Sequence, residues 1–226
     1  MTVAIAFGNS EPLSQIGFIT VTGANSLLTQ TVGSGFILGN EISGTTLNLL
    51  DGGTFTAGSA GTVIHNTGTI NIDDGFANLG LLNRQGGAVN FLAGSLSYDG
   101  DLTVGSGGLL GNGILTLESN RQLELAGTTT VNSFRTLKID GGSFLTGDLV
   151  IQPGGVFDFQ EGTHGLTGAA GLTVGSSGAL GDVTHVGNQQ TYNISHTATV
   201  ASEGVLSVAN GGRFNAQTLN NFGAVI

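Results

Sequence analysis

The 226-residue chain has no cysteine, no tryptophan, two prolines and a single lysine. Without cysteine there is no disulfide, no thiol chemistry and no thiolate zinc site. Two prolines and the lack of a G-X-Y period exclude collagen, although glycine numbers 41. Charged residues make up only 9%, and the formal net charge is −10 with five basic side chains. That balance removes the basic stripe that nucleic acid requires. It also removes the polybasic segment that an anionic membrane surface attracts. No apolar run approaches the roughly 18 residues of a membrane-spanning helix. The opening stretch MTVAIAFGNSEP has no basic n-region and only a five-residue apolar run, so it does not read as a complete signal peptide. Helical periodicity is missing as well: glycine interrupts almost every stretch of ten.

What remains is strand grammar. Phe18–Thr22, Thr46–Leu49, Thr69–Ile72, Ala88–Phe91, Ile114–Leu117, Gln122–Leu125 and Thr136–Ile139 all alternate with period two. The polar member of each is Thr, Asn, Glu, Gln or Lys, placed to face water while its neighbours face a core. One phrase recurs closely: LTVGSGGLLG over Leu102–Gly111 and LTVGSSGALG over Leu172–Gly181, 70 residues apart and identical at eight of ten positions. Diluted copies begin at Leu47, Leu137 and Leu149. Two interleaved ladders follow: Leu102, Leu123, Leu149, Leu172, and Val89, Leu115, Leu137, Phe157, Leu180. The spacing predicts an all-β chain, a single parallel β-solenoid over residues 1–226 with roughly ten coils of about 23 residues. The usual crossover rule for parallel strands makes it right-handed. Pairs such as Gly52-Gly53, Gly107-Gly108 and Gly154-Gly155 supply tight corners. Asn and Thr at outward positions can bond to the coils above and below. Residues 1–14 repeat least well and read as an N-terminal cap or an added strand.

The phrases HNTGTINI from His65, LTVGSGGLLGNGILTL from Leu102 and LNNFGAVI from Leu219 resemble the passenger regions of bacterial autotransporters and filamentous-haemagglutinin-like adhesins. The resemblance covers most of Leu47–Ile226. It implies a β-solenoid, and a role as adhesin, biofilm protein or fibre, in some members an enzyme.

Residues that carry chemistry are thin. Asp73-Asp74 precedes Gly75 and reads as a turn. Asp101, Asp148 and Asp182 recur in Gly-Asp-Leu/Val phrases and read as a corner ladder. The histidines His65, His164, His185 and His196 lack ligand spacing and read as turn or surface residues. Arg84, Arg121, Arg135, Lys138 and Arg213 are dispersed, without an obvious clamp. The phenylalanines, among them Phe18, Phe36, Phe55, Phe76, Phe91, Phe144, Phe157, Phe159 and Phe214, read mostly as stacked core. Tyrosine is limited to Tyr98 and Tyr192, which gives little material for an aromatic sugar platform. No catalytic, cofactor or metal site is expected. A polysaccharide-active β-helix enzyme is the minor alternative.

The repeat grammar continues through Asn220–Ile226 without a charge or a proline. Val3, Ile5 and Phe7 at one end, with Phe222, Val225 and Ile226 at the other, are therefore the expected end-stacking interface. The expected function is an extracellular or cell-surface structural protein that forms or extends a fibre by head-to-tail stacking. Its partner is the chain itself. The alternative is an adhesin passenger fragment, binding a surface or matrix glycan or protein through its outer face.

Overall fold

The computed structural model describes residues 17–30, 35–40 and 44–226. They contain strands and turns and no helix, and the strands stack in parallel as a β-solenoid of about eight turns. This bears out the all-β solenoid and lowers the expected ten coils. The chain divides into two compact units. One runs up to Gly100 and includes Asn120–Glu124; the other comprises Asp101–Ser119 and Leu125–Ile226.

In the first unit, one coil carries β1 (Gly17–Thr22), β2 (Leu27–Thr29) and β3 (Phe36–Leu38). The next carries β4 (Thr45–Leu50), β5 (Thr54–Thr56) and β6 (Thr62–His65). Then come β7 (Gly68–Asp73) with the long β8 (Gly75–Gln85), and β9 (Ala88–Phe91) with β10 (Gly94–Asp99). Pairing is parallel and residue-for-residue, so inward side chains stack on inward ones. Ile19, Leu47, Ile70 and Val89 form one such column, and Val21, Leu49, Ile72 and Phe91 another. Leu47, Leu49, Ile70 and Ile72 are wholly buried. Removing each from water contributes about 1.5–3 kcal/mol.

The outward column between them is Thr20, Asn48, Asn71 and Asn90. Each asparagine Nδ2 donates to the coil before it: Asn90 to Asn71 Oδ1 at 2.8 Å, Asn71 to Asn48 Oδ1 at 2.8 Å, and Asn48 to Thr20 Oγ1 at 3.4 Å. The outward Asn and Thr positions of the sequence therefore form a hydrogen-bonded ladder with one polarity.

In the second unit the strands are β11 (Leu102–Val104), β12 (Leu115–Glu118), then β13 (Arg121–Leu125) at the division between units, and β14 (Thr128–Val131). The next coils carry β15 (Thr136–Thr146) with β16 (Asp148–Ile151), and β17 (Val156–Leu166) with β18 (Leu172–Val174) and β19 (Val183–Val186). Last come β20 (Gln190–Val200) with β21 (Val205–Val208), and β22 (Arg213–Asn221) with β23 (Ala224–Val225). Leu115, Leu137 and Phe157 stack in register, as do Leu117, Ile139 and Phe159.

The even period of 23 does not hold. Thr69 stands beside Ala88, 19 residues on, whereas Gly17 stands beside Thr45, 28 on. Turns of different length absorb the difference, so counting residues misplaces some ladder members. Leu102 stacks on Thr129, and Thr129 on Leu149. Leu123 belongs to a different strand, β13. Val89 stacks on Ile70, and Leu180 lies in a turn. The Leu47–Ile70 and Leu115–Leu137–Phe157 steps are as expected.

The repeated phrase encodes a strand followed by one fixed turn. Its LTV is β11 in one copy and β18 in the other, each with Leu and Val buried. Gly105 and Gly175 then take φ of 143° and 153°, and Gly111 and Gly181 take 97° and 75°. The Gly108 and Gly178 N–H groups donate to the carbonyls of Gly105 and Gly175 at 2.9 and 2.8 Å. A Cβ at Gly178 would run into the Thr173 carbonyl, whereas one at Gly113 would meet nothing within 4 Å. We therefore expect Gly178→Ala to lower the unfolding free energy by about 1–3 kcal/mol and Gly113→Ala to change it by less than about 0.5 kcal/mol, measured by urea titration.

Candidate functional site

The coil of β22 and β23 is where this protein presents an unfinished surface. Among the described residues, β22 pairs with β20 and β23 with β21, each along one edge. One coil back, Ala198, Val200 and Leu206 are essentially sealed, at 1%, 0% and 1% exposure. Their register partners are Leu219, Asn221 and Val225. Leu219 is 45% exposed and Val225 41%. These inward positions would be core in any coil that had a neighbour on both sides. Phe222 and Ile226 are exposed further, at 72% and 73%. Three expected interface residues, Phe222, Val225 and Ile226, thus lie together on this open coil. Val3, Ile5 and Phe7 lie outside the described residues.

The open coil is joined to the interior by a ring column. Phe144, His164, Tyr192 and Phe214 occupy one register position on β15, β17, β20 and β22. Phe144 and His164 stack at a centroid distance of 5.4 Å and an interplanar angle of 9°. Tyr192 meets His164 edge-on at 5.5 Å, and Phe214 follows at 6.2 Å from Tyr192. Phe157 and Phe159 close on the histidine from its own strand, at 4.9 and 6.3 Å. Phe144 and Phe157 are thus interior, while Phe18 and Phe76, also read as core, are exposed at 79% and 48%.

His164 reverses its surface assignment. It is wholly buried in mid-strand, and neither ring nitrogen has a hydrogen-bond partner. Burial among aromatic rings drives its pKa down to about 4. The approach of the Phe144 backbone opposes this weakly, without amounting to a hydrogen bond. The same burial raises the pKa of Tyr192. A lone histidine in a strand gave no sign of this. The sign lies in the register that places it between Phe144 and Tyr192.

Lys138 is likewise not a lone solvated charge. On the outer face of β12, β15 and β17, Thr116, Lys138 and Asp158 form one column, and Glu118, Asp140 and Glu161 the next. Lys138 Nζ donates to Asp140 Oδ2 at 2.6 Å, which raises the lysine pKa, with Asp158 and Glu118 adding to it. The arginines bind backbone: Arg121 Nε donates to the Leu92 carbonyl at 2.7 Å and Arg84 Nε to that of Gly87 at 2.5 Å. Asp101 Oδ1 accepts from the Thr128 N–H at 2.7 Å, and Asp148 stands in register with Thr128. Asp74 takes φ of 59°, a turn conformation, as its place before Gly75 suggested. His185 lies on β19 beside Ser207, 3.3 Å from its hydroxyl, and His196 on β20. Among the described residues, no three His, Asp or Glu side chains converge as a metal ion would require. No helix of the described residues is long and apolar enough to cross a membrane.

One interruption breaks the stack inside the second unit. β16 ends its sheet, and β18 pairs only forward with β20. Between these strands of successive coils lies a cleft of about 350 Å³, lined by Asp148, Leu149, Leu166 and Leu172 among others.

These features define a parallel β-solenoid repeat protein. No family model matches the chain, and neither a curated protein nor a solved structure matches it.

The buried histidine makes stability depend on pH in a defined direction. Folded, His164 stays neutral down to about pH 4; unfolded, it takes up a proton near pH 6.5. Its contribution is therefore complete above about pH 6.5 and is lost as pH falls to about 4. The shift corresponds to about 3 kcal/mol. Urea titrations of the parent and His164→Phe at pH 7.5 and 4.5 should show the parent losing about 2–3 kcal/mol more than the variant. Equal losses would show that the histidine does not remain neutral.

Proposed function

We propose that this chain is an architectural protein of the cell surface or extracellular space, and that it extends a fibre by stacking coil on coil with further copies of itself. The observation that carries the reading is the β22–β23 coil, where inward Leu219 and Val225 stand exposed above the sealed Ala198 and Leu206. An unpaired edge of this kind accepts another strand. Natural edges are usually guarded by charge, proline or a bulge. Here Phe222, Gly223, Ala224, Val225 and Ile226 offer none of these guards. Stacking of one surface on a different surface does not close, so it generates filaments. The acidic, lysine-poor composition with Ser, Thr and Asn on the outside fits an exported location, as does the resemblance to autotransporter passengers and filamentous-haemagglutinin-like adhesins.

An adhesin reading has an observation of its own. Phe134 is 89% exposed and takes φ of 60°, a left-handed conformation that costs a bulky residue of order 1–3 kcal/mol. A strained, solvent-facing aromatic is suited to anchoring a glycan or protein on the outer face.

The stacking role is tested by negative-stain electron microscopy and sedimentation of the purified chain across a concentration series. Concentration-dependent filaments are expected. Val225→Asp, which places a charge on the inward position of the open coil, should shift the chain to monomers while leaving its circular dichroism unchanged. A parent chain that stays monomeric throughout would overturn the reading.

A further inference from the structure

We infer that the stacking partner of β22 is β1 of a second copy, in one register: Phe18 beside Arg213, Ile19 beside Phe214, Thr20 beside Asn215, Val21 beside Ala216 and Thr22 beside Gln217. This rests on the self-stacking reading above and adds to it the partner strand and the register.

The first ground is the polarity of the outward ladders. In the first unit each asparagine donates to the coil before it, and the ladder begins at Thr20, whose hydroxyl accepts from Asn48. A hydroxyl that accepts still has a proton to give. In the second unit Asn215 Nδ2 donates to Asn193 Oδ1 at 2.9 Å by the same rule. Asn215 is exposed, and its own Oδ1 is left as an acceptor directed at whatever coil comes next. A ladder that ends on an acceptor and one that begins on a donor are complementary. Thr20 over Asn215 joins them.

The second ground is parity. Asn215 sits between Phe214 and Ala216, which stand in register with buried Tyr192 and Ile194. Thr20 sits between Ile19 and Val21, which stand in register with buried Leu47 and Leu49. Placing Thr20 over Asn215 therefore sets inward residues on inward residues, whereas a one-residue slip would invert every side chain. The third ground is the remaining outward pair. Phe18 is 79% exposed, and in this register it meets the Arg213 guanidinium one coil spacing away, within the roughly 6 Å of a cation–π contact. Two-residue slips keep parity but lose both outward pairs.

The absence of cysteine makes the register directly readable. Facing residues of adjacent parallel strands are about 4.8 Å apart, inside the Cα separation that a disulfide tolerates. Equal amounts of Thr20→Cys and Asn215→Cys chains are mixed and oxidised, and covalent heterodimer is measured on a non-reducing gel. Thr20→Cys with Arg213→Cys and Thr20→Cys with Gln217→Cys report the two slipped registers. Sedimentation of the cysteine-free parent runs alongside as the measure of self-association. The expected result is heterodimer about tenfold or more above either slipped pair. A parent that assembles while the slipped pairs cross-link equally well, or none does, overturns the β1–β22 register and leaves the stacking reading standing. A parent that does not assemble overturns both. Thr20→Val removes the hydroxyl donor at an exposed position; it should weaken assembly about threefold to tenfold with circular dichroism unchanged. Unaltered assembly would count against the ladder contact.

Discussion

Coil-on-coil parallel pairing is the constraint from which everything else in this protein follows. Each strand uses its backbone groups on the strands before and after it, so a residue's side chain lies directly over that of its register partner. Inward columns become continuous apolar stacks, and outward columns become polar ladders. A coil therefore cannot complete its own core. Leu47 is sealed because Ile19 and Ile70 lie on either side of it, whereas Val225 has Leu206 on one side only. The same chemistry that holds the interior together leaves the open coil ready to accept more of itself.

Charge and aromaticity are placed by this constraint in different ways. His164 sits between Phe144 and Tyr192 because those three positions share one register column. The surrounding rings offer no donor or acceptor, so the imidazole is held neutral. Outside, Lys138 is drawn to Asp140 on its own strand and flanked by Asp158 on the next. The asparagine ladders combine the two aspects. They satisfy side-chain amides at the surface and, through their shared polarity, give the stack a direction.

Much of the architecture was legible because strand alternation and glycine corners are local signals. The Leu102–Gly111 and Leu172–Gly181 phrases do adopt one strand-and-turn structure, down to matching φ values at Gly105 and Gly175. The Leu47–Ile70 step and the Leu115–Leu137–Phe157 stack were legible for the same reason. Leu123 and Leu180 were misplaced because coils vary from 19 to 28 residues, and constant spacing cannot say which turn takes up the excess. His164 and Lys138 were misread because neither has a local partner pattern: the neighbours that define them lie about twenty residues or more away for the histidine, and across strands for much of the lysine's field.

The amino-acid sequence by itself determined the class of fold. Period-two alternation selects strands, glycine selects sharp corners, and the lack of cysteine and of helical periodicity leaves stacking as the means of building a core. The tertiary structure decided the register, and with it the columns. Which residue lies over which depends on the length of every intervening turn, and turn length is a property of the folded backbone that composition does not encode. That is why the apolar and asparagine positions could be read from the sequence, while the buried histidine, the direction of the ladders and the open face at Leu219 and Val225 emerged only once the coils were laid on one another.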